Sequence, residues 1–261
     1  MPKFKGLIAG LLRYKGLLYE LVIRDIKVRY RRSFLGLLWT LLNPILMMAV
    51  MTLVFSNLFQ IDIKNFPIYF FSGNLLFSFV TESTINGLHS ITGNASLIKK
   101  VYIPKYLFPV SKVLSSAVNL SFSLIAMMLV MIVTGAKFYA TLILTPVIVL
   151  FIVMFAVGLA MMLSTVMVFF RDTAHLYGVI TLAWMYLTPV FYPESLLQDK
   201  AAWLLTTNPM VQYIRYFREI VLYGTVPSLE QHLICLSISF VILALGMLFF
   251  YRKQDRFILY I

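Results

Sequence analysis

Charge is scarce in this chain of 261 residues. Asp, Glu, Lys and Arg make up 12% of it, where a soluble domain carries roughly a quarter. Acids are the scarcer sign, with 10 Asp and Glu against 22 Lys and Arg. There is one cysteine, Cys235, inside an apolar run. It excludes an intrachain disulfide and leaves the redox compartment open. Three histidines, His89, His175 and His232, are scattered without metal-ligand spacing. No segment reads G-x-x-x-x-G-K-[ST], which removes the phosphate-cradling route to ATP. No spacing links a Ser, a His and an Asp into a nucleophilic arrangement. Secondary transporters driven by protons or sodium usually carry several buried carboxylates; here only Glu82 reads as intramembrane. No internal repeat is visible, which argues against an inverted-repeat transporter. These absences leave a passive conduit that needs an external source of energy.

What the chain does have is apolar length: 61% of its residues are hydrophobic. Six runs read as membrane spans: Gly36–Phe59, Ile68–Ser90, Pro109–Thr134, Thr141–Phe170, His175–Phe191 and Leu233–Tyr251. The fourth is long for one crossing and the fifth is short. Pro44, Pro146 and Pro189 fall within runs, where neighbouring helices can satisfy the carbonyls they free. Basic residues between the runs are distributed unevenly. Nine lie before residue 36, four between Thr92 and Lys112, one at Arg171 and three at Arg252, Lys253 and Arg256; the alternate loops hold only Lys64, Lys137, Lys200, Arg215 and Arg218. Positive charge stays cytoplasmic during insertion, so both termini are expected inside. The net charge of +12 is then read as a membrane face toward anionic lipid, not as a nucleic-acid surface.

The N-terminal segment 1–35 is periodic. Phe4, Leu7, Ile8, Leu11, Tyr14, Leu18, Leu21 and Val22 share a face, with basic residues opposite. This predicts an amphipathic interface helix, with a break near Gly16, rather than a cleavable signal peptide. Residues 36–261 form the six-span domain. Its short basic loop, 94–105, is expected to make a helical turn or two across the cytoplasmic face. The longest connection, Tyr192–Gln231, is as apolar as a core. It predicts two short reentrant helices within 194–223, broken at Asn208-Pro209.

Four stretches, in order, carry a resemblance. Val22–Trp39 (VIRDIKVRYRRSFLGLLW) with Asn43-Pro44, Asn94–Pro109 (NASLIKKVYIPKYLFP), Arg171-Asp172 running on to Leu187–Pro193 (LTPVFYP), and Asn208-Pro209-Met210 with Phe217-Arg218-Glu219 resemble the permease subunit of ABC-2 type polysaccharide exporters. That family moves O-antigen, capsule or teichoic acid precursors across the bacterial inner membrane. The resemblance implies an all-α membrane protein acting as a homodimer. It implies two copies of a separate ATPase subunit, which hold ATP and Mg, and a substrate carried on a polyprenyl diphosphate. No cofactor or metal is expected on this chain. Rival readings are an ABC-2 exporter of small lipids or drugs and a stand-alone secondary transporter. A membrane enzyme of glycolipid synthesis is disfavoured by the lack of convergent acids or metal ligands.

The resemblance also implies site residues. Asn94, Leu97, Ile98, Lys99, Lys100, Val101, Tyr102 and Lys105 would dock the ATPase, with Asp25 pairing locally or fixing the interface helix against the ATPase. The alternative is a plain positive-inside loop. Arg24, Arg29, Arg31 and Arg32 would attract the lipid diphosphate, since a planar guanidinium suits phosphate oxygens; the alternative is topology and headgroup attraction. Trp39, Tyr186 and Tyr192 would line the channel, against the alternative of an interfacial aromatic belt. Asn208, Pro209, Arg215, Arg218 and Glu219 would form the outer gate, the three charged residues pairing to hold it shut. Glu82 is expected to face protein or water and to pair with a base, because a lipid-facing carboxylate would cost several kcal/mol.

Overall fold

A computed structural model describes residues 13–31, 35–36, 38–58, 63 and 65–261, and these are helical with no strand among them. Helix α1, Lys15–Tyr30, begins after a turn at Tyr14, close to the expected break. Residues 1–12 of the expected interface helix lie outside the described residues, as do Arg32 and Lys64. Then come α2 (Leu38–Thr52), running into a π-helical turn Leu53–Leu58, and α3 (Phe66–Leu88). The short α4 (Ala95–Lys100) precedes α5 (Leu107–Val133), α6 (Thr145–Phe169) and α7 (Thr173–Tyr186). Helix α8 (Ser195–Thr207) is kinked at Ala201; α9 (Pro209–Arg218) ends in a π-turn Glu219–Tyr223; α10 (Leu229–Lys253) is followed by a 3-10 turn Gln254–Leu259. Of the three prolines within runs, only Pro44 sits in a helix interior. Pro146 occupies the first turn of α6, where its missing N–H costs nothing, and Pro189 follows the end of α7.

Among the described residues, four segments are long and apolar enough to cross a bilayer: Leu38–Phe55, Leu107–Val133, Ala140–Phe169 and Leu229–Leu259. The second and fifth expected spans fall outside that set, each for a physical reason. Helix α3 is the hub of the bundle. It packs against α2, α5, α6, α7 and α9, and most of it is buried, including Ser72, Ser83 and Thr84. A helix shielded by its neighbours can be polar where a lipid-facing one cannot. Helix α7 has 14 residues, about 21 Å at ~1.5 Å per residue, short of the ~30 Å hydrocarbon layer.

Among the described residues, two of the three apolar clusters hold most of the packing, the third being the small group Leu88, Met167 and Tyr177. The larger joins α3, α5, α6 and α9 around Phe71, Phe155, Tyr213 and Phe217. The smaller ties α1 through Leu21 to Ile98 of α4, Leu107 of α5, and Phe250 and Phe257 near the C-terminus. Helices α6 and α10 cross at Gly158 and Gly246. A Cβ on Gly158 would overlap the Ile242 carbonyl, and one on Gly246 the Gly158 carbonyl. Small residues allow such a crossing between membrane helices.

Candidate functional site

Three apolar helices carry polar residues at helical spacing. These are Thr40 and Asn43 on α2, Asn74, Ser78 and Glu82 on α3, and Ser116, Asn119 and Ser123 on α5. Steps of three and four residues place each set on one helix face. The fold turns the three faces toward one groove of about 560 Å³, which Arg29 and Trp39 also line. Such a surface is costly against lipid and suits water or a hydroxyl-rich ligand.

Glu82 is its hub. One carboxylate oxygen, Oε1, accepts from Nδ2 of Asn119 at 2.8 Å, from Oγ of Ser116 at 3.2 Å and from Nη1 of Arg29. The base expected to pair with Glu82 is therefore Arg29, reached from α1. The same helix is pinned elsewhere by polar contacts. Asp25 pairs with Lys112 at 2.9 Å and with Arg24 at 3.3 Å, and Arg24 also donates to Oδ1 of Asn94 at 3.2 Å. Asp25 thus binds α1 to α5. Of the four arginines expected at the lipid diphosphate, Arg29 reaches the groove, Arg24 faces α4, Arg31 is exposed and Arg32 lies outside the described residues.

The segment 94–105 divides into an inner and an outer side. Ile98 is buried, Leu97 packs beside it, and Asn94 donates to the Ser90 carbonyl at 2.7 Å. Lys105 turns away from the exposed edge. Its Nζ donates to the Gln254 carbonyl at 2.8 Å and lies over the Phe257 ring, and partial burial lowers its pKa. Lys99, Lys100, Val101 and Tyr102 remain facing out, with Tyr102 97% exposed.

The aromatic candidates separate as well. Trp39 lines the groove. Tyr186 and Tyr192 instead pack around Phe191, where the Tyr192 hydroxyl donates to the Tyr186 carbonyl at 2.7 Å.

Among the gate candidates the expected pairing is corrected. Arg215 pairs with Glu194 at 2.7 Å, and Glu219 has no ion pair among the described residues. The reason is partly local: a base placed four residues before an acid is the poorer order along a helix. Partial burial raises the Glu219 pKa. Arg218 is 2% exposed. Its guanidinium lies 3.5 Å from the Tyr69 ring centroid and donates to the Tyr69 and Val190 carbonyls at 3.2 and 3.1 Å. It joins α9, α3 and the turn after α7. Asn208, ahead of Pro209 at the first position of α9, caps the helix through Met210 N–H. It also accepts from Trp184 Nε1 at 2.9 Å and donates to Thr188 Oγ1 at 2.9 Å. Asn208→Ala would remove a cap and orphan the Trp184 N–H, a loss of about 2 kcal/mol. Thermal unfolding of the purified protein should rank wild type above Asn208→Asp, which keeps the accepting oxygen, and both above Asn208→Ala. Equal midpoints would refute the pin.

The sequence reading named Asn43 only within the resemblance and missed Asn74, Ser78, Ser116, Asn119 and Ser123. Their signal was the regular polar step inside apolar runs, which becomes meaningful only once three helices are known to meet.

Residues 16–222 match the family described as ABC-2 type transporter. The O-antigen export system permease protein RfbA of Myxococcus xanthus is 34% identical over 253 residues, covering 96% of this chain and 97% of that protein. A protein of the same name from Klebsiella pneumoniae is 27% identical, covering 93% and 95%. The capsule polysaccharide export inner-membrane protein CtrC of Neisseria meningitidis is 24% identical, covering 92% of each. The family match takes in every wall of the groove, and the relatives align nearly end to end. The chain therefore belongs to the ABC-2 type transporter family.

Proposed function

We propose that this chain is the membrane subunit of an ATP-driven exporter carrying a polysaccharide linked to polyprenyl diphosphate, of the O-antigen, capsule or teichoic acid kind, across a bacterial inner membrane. The observation that carries this reading is the groove: a polar surface on three apolar helices, with an arginine in its wall and a tryptophan beside it. Sugar hydroxyls exchange hydrogen bonds with Asn and Ser, and a sugar face stacks on an indole. The names of the relatives point to the same substrate class. Two copies would enclose the channel, with Trp39, Tyr186 and Tyr192 toward it. Each copy would rest on an ATPase subunit that supplies the ATP and Mg absent from this chain's own motifs.

Topology in this reading is six spans with both termini cytoplasmic, supported by the placement of 17 of the 22 basic residues. Helix α3 crosses inside a sheath of other helices. Helix α7 completes its crossing with the turn to Phe191, and α8 and α9 form the reentrant outer gate. The test is depletion of the protein in its host, followed by measurement of polyprenyl-diphosphate-linked glycan. Accumulation of long-chain glycan on the inner leaflet is expected. Unchanged glycan pools with a normal surface coat would overturn the polysaccharide reading and move the substrate to small lipids or drugs.

A further inference from the structure

We infer that the C-terminal ends of α6 and α10, with the turn Gln254–Leu259, form a binding site for an anionic phospholipid. The depth of this end follows from the glycine crossing. Helix α6 has 25 residues, enough to cross a bilayer with its middle near the midplane. Gly158 lies near that middle and meets Gly246 of α10. Phe169 is eleven residues further along α6, about 16 Å at ~1.5 Å per residue. On α10, seven residues to Lys253 and four of the tighter turn bring Phe257 to about 18 Å. The two aromatic rings do meet, with centroids 6.0 Å apart, and Phe169 also packs on Tyr260 at 4.9 Å. Half of the ~30 Å hydrocarbon layer is about 15 Å. Both helices therefore end at the headgroup boundary.

Two kinds of side chain are exposed there. Ile258, Leu259 and Tyr260 follow Phe257, and Phe170 follows Phe169; Leu259 is 79% and Phe170 70% exposed. At this depth such groups enter the boundary between headgroups and acyl chains. A soluble partner would meet them only by reaching through the headgroups. Arg171, Arg252, Lys253 and Arg256 flank the apolar group, all exposed and none with an ion pair among the described residues. The acids of this end, Asp172 and Asp255, leave it with a positive balance. Cations at the headgroup level beside buried apolar side chains select a lipid with a net negative phosphate. The site is also tied to the rest of the protein. Phe257 is buried in the cluster that holds Leu21 and Ile98, and the Gln254 carbonyl accepts from Lys105 at 2.8 Å. A lipid bound at the turn therefore braces α1 and the segment 94–105. The site needs α6 and α10 to cross the bilayer, whatever the cargo.

The test places a tryptophan in the patch, Leu259→Trp, in the full-length chain held in phosphatidylcholine nanodiscs. The readout is quenching of its fluorescence by lipids with brominated acyl chains. The three native tryptophans set the background, measured on the unsubstituted protein. Brominated phosphatidylcholine should quench the added fluorescence. Brominated phosphatidylglycerol at the same mole fraction should quench it about twofold more strongly. Arg252→Gln with Lys253→Gln and Arg256→Gln should remove that excess. Taking three charges from elsewhere, by Lys27→Gln with Lys99→Gln and Lys100→Gln, should leave it in place. If Leu259→Trp does not fold, Ile258→Trp probes the same patch. No quenching by either lipid would set the patch against protein or water and overturn the inference. Equal quenching by the two lipids, or an excess that survives loss of the three cations, would overturn it as well. Glycan accumulation on depletion is read separately and bears on the cargo alone.

Discussion

Replacing Gly158 with Val should abolish folding of the protein. Helices α6 and α10 cross in backbone contact, and each contributes a glycine to the crossing. A Cβ at 158 meets the backbone of Ile242 and Leu243, and one at 246 meets the backbone of Gly158 itself. Backbone cannot rotate aside as a flexible side chain can, so the helices must separate. Separation would loosen Ile152 and Ala156 on α6 and Cys235 and Ser239 on α10, all fully buried. Losses above about 4 kcal/mol are exceptional for one substitution, and backbone overlap inside a packed crossing belongs to that class. The expected readout is loss of the monodisperse peak in detergent size exclusion for Gly158→Val and Gly246→Val. Gly178→Ala is the control, because nothing lies within 4 Å of a Cβ there, and it should elute as wild type. A Gly158→Val protein with a wild-type unfolding midpoint would refute the account.

The crossing shows what hydropathy reads well and what it does not. The helical class and the long apolar runs at 107–133, 140–169 and 229–259 were legible because lipid-facing helices must be apolar along their length. The glycines within them carried no one-dimensional signal, since their use depends on which helix lies opposite. Helix α3 was legible as a helix, but the reason for its Asn, Ser and Glu residues was not. They are tolerated because five neighbouring helices surround it, a fact of topology alone. Charge was read well in sum and poorly in pairs. Asp25 was expected to pair locally and does so with Arg24, but its shorter pair, with Lys112, and the Glu82 pair with Arg29 reach across 87 and 53 residues. Arg215 shows the opposite error: sequence proximity suggested Glu219, and the fold supplies Glu194. The halves of the candidate site sort the same way. A contiguous segment such as 94–105 is visible in a string, whereas a groove assembled from α1, α2, α3 and α5 is not.

Reversing charge at that segment, Lys99→Glu with Lys100→Glu, should abolish export while leaving the protein in the membrane. The two lysines end α4 on its exposed side, next to Val101 and Tyr102, which are 50% and 97% exposed. Exposed apolar groups rimmed by cations mark a docking edge more than a bare retention signal. The edge is also held firmly from behind. Ile98 anchors α4 in the cluster that contains Leu21 of α1, and Asn94 accepts from Arg24 of the same helix. Force on the edge would therefore pass into α1, and through Arg29 to Glu82 in the groove. Changing two positive charges to two negative ones turns attraction at a complementary surface into repulsion, and about a hundredfold loss of ATPase affinity is expected. The remaining basic residues, nine of them before residue 36, should still orient the chain. Co-purification with the ATPase and surface glycan should both fall to background, with unchanged protein in the membrane fraction. Lys105→Gln separates docking from folding. Its amine serves the Gln254 carbonyl and not the exposed edge, so this variant should lower the unfolding midpoint and retain the ATPase. Normal export by the double variant would show that the segment does not dock. Lost ATPase binding in Lys105→Gln at an unchanged midpoint would place the docking edge on the other side of the loop.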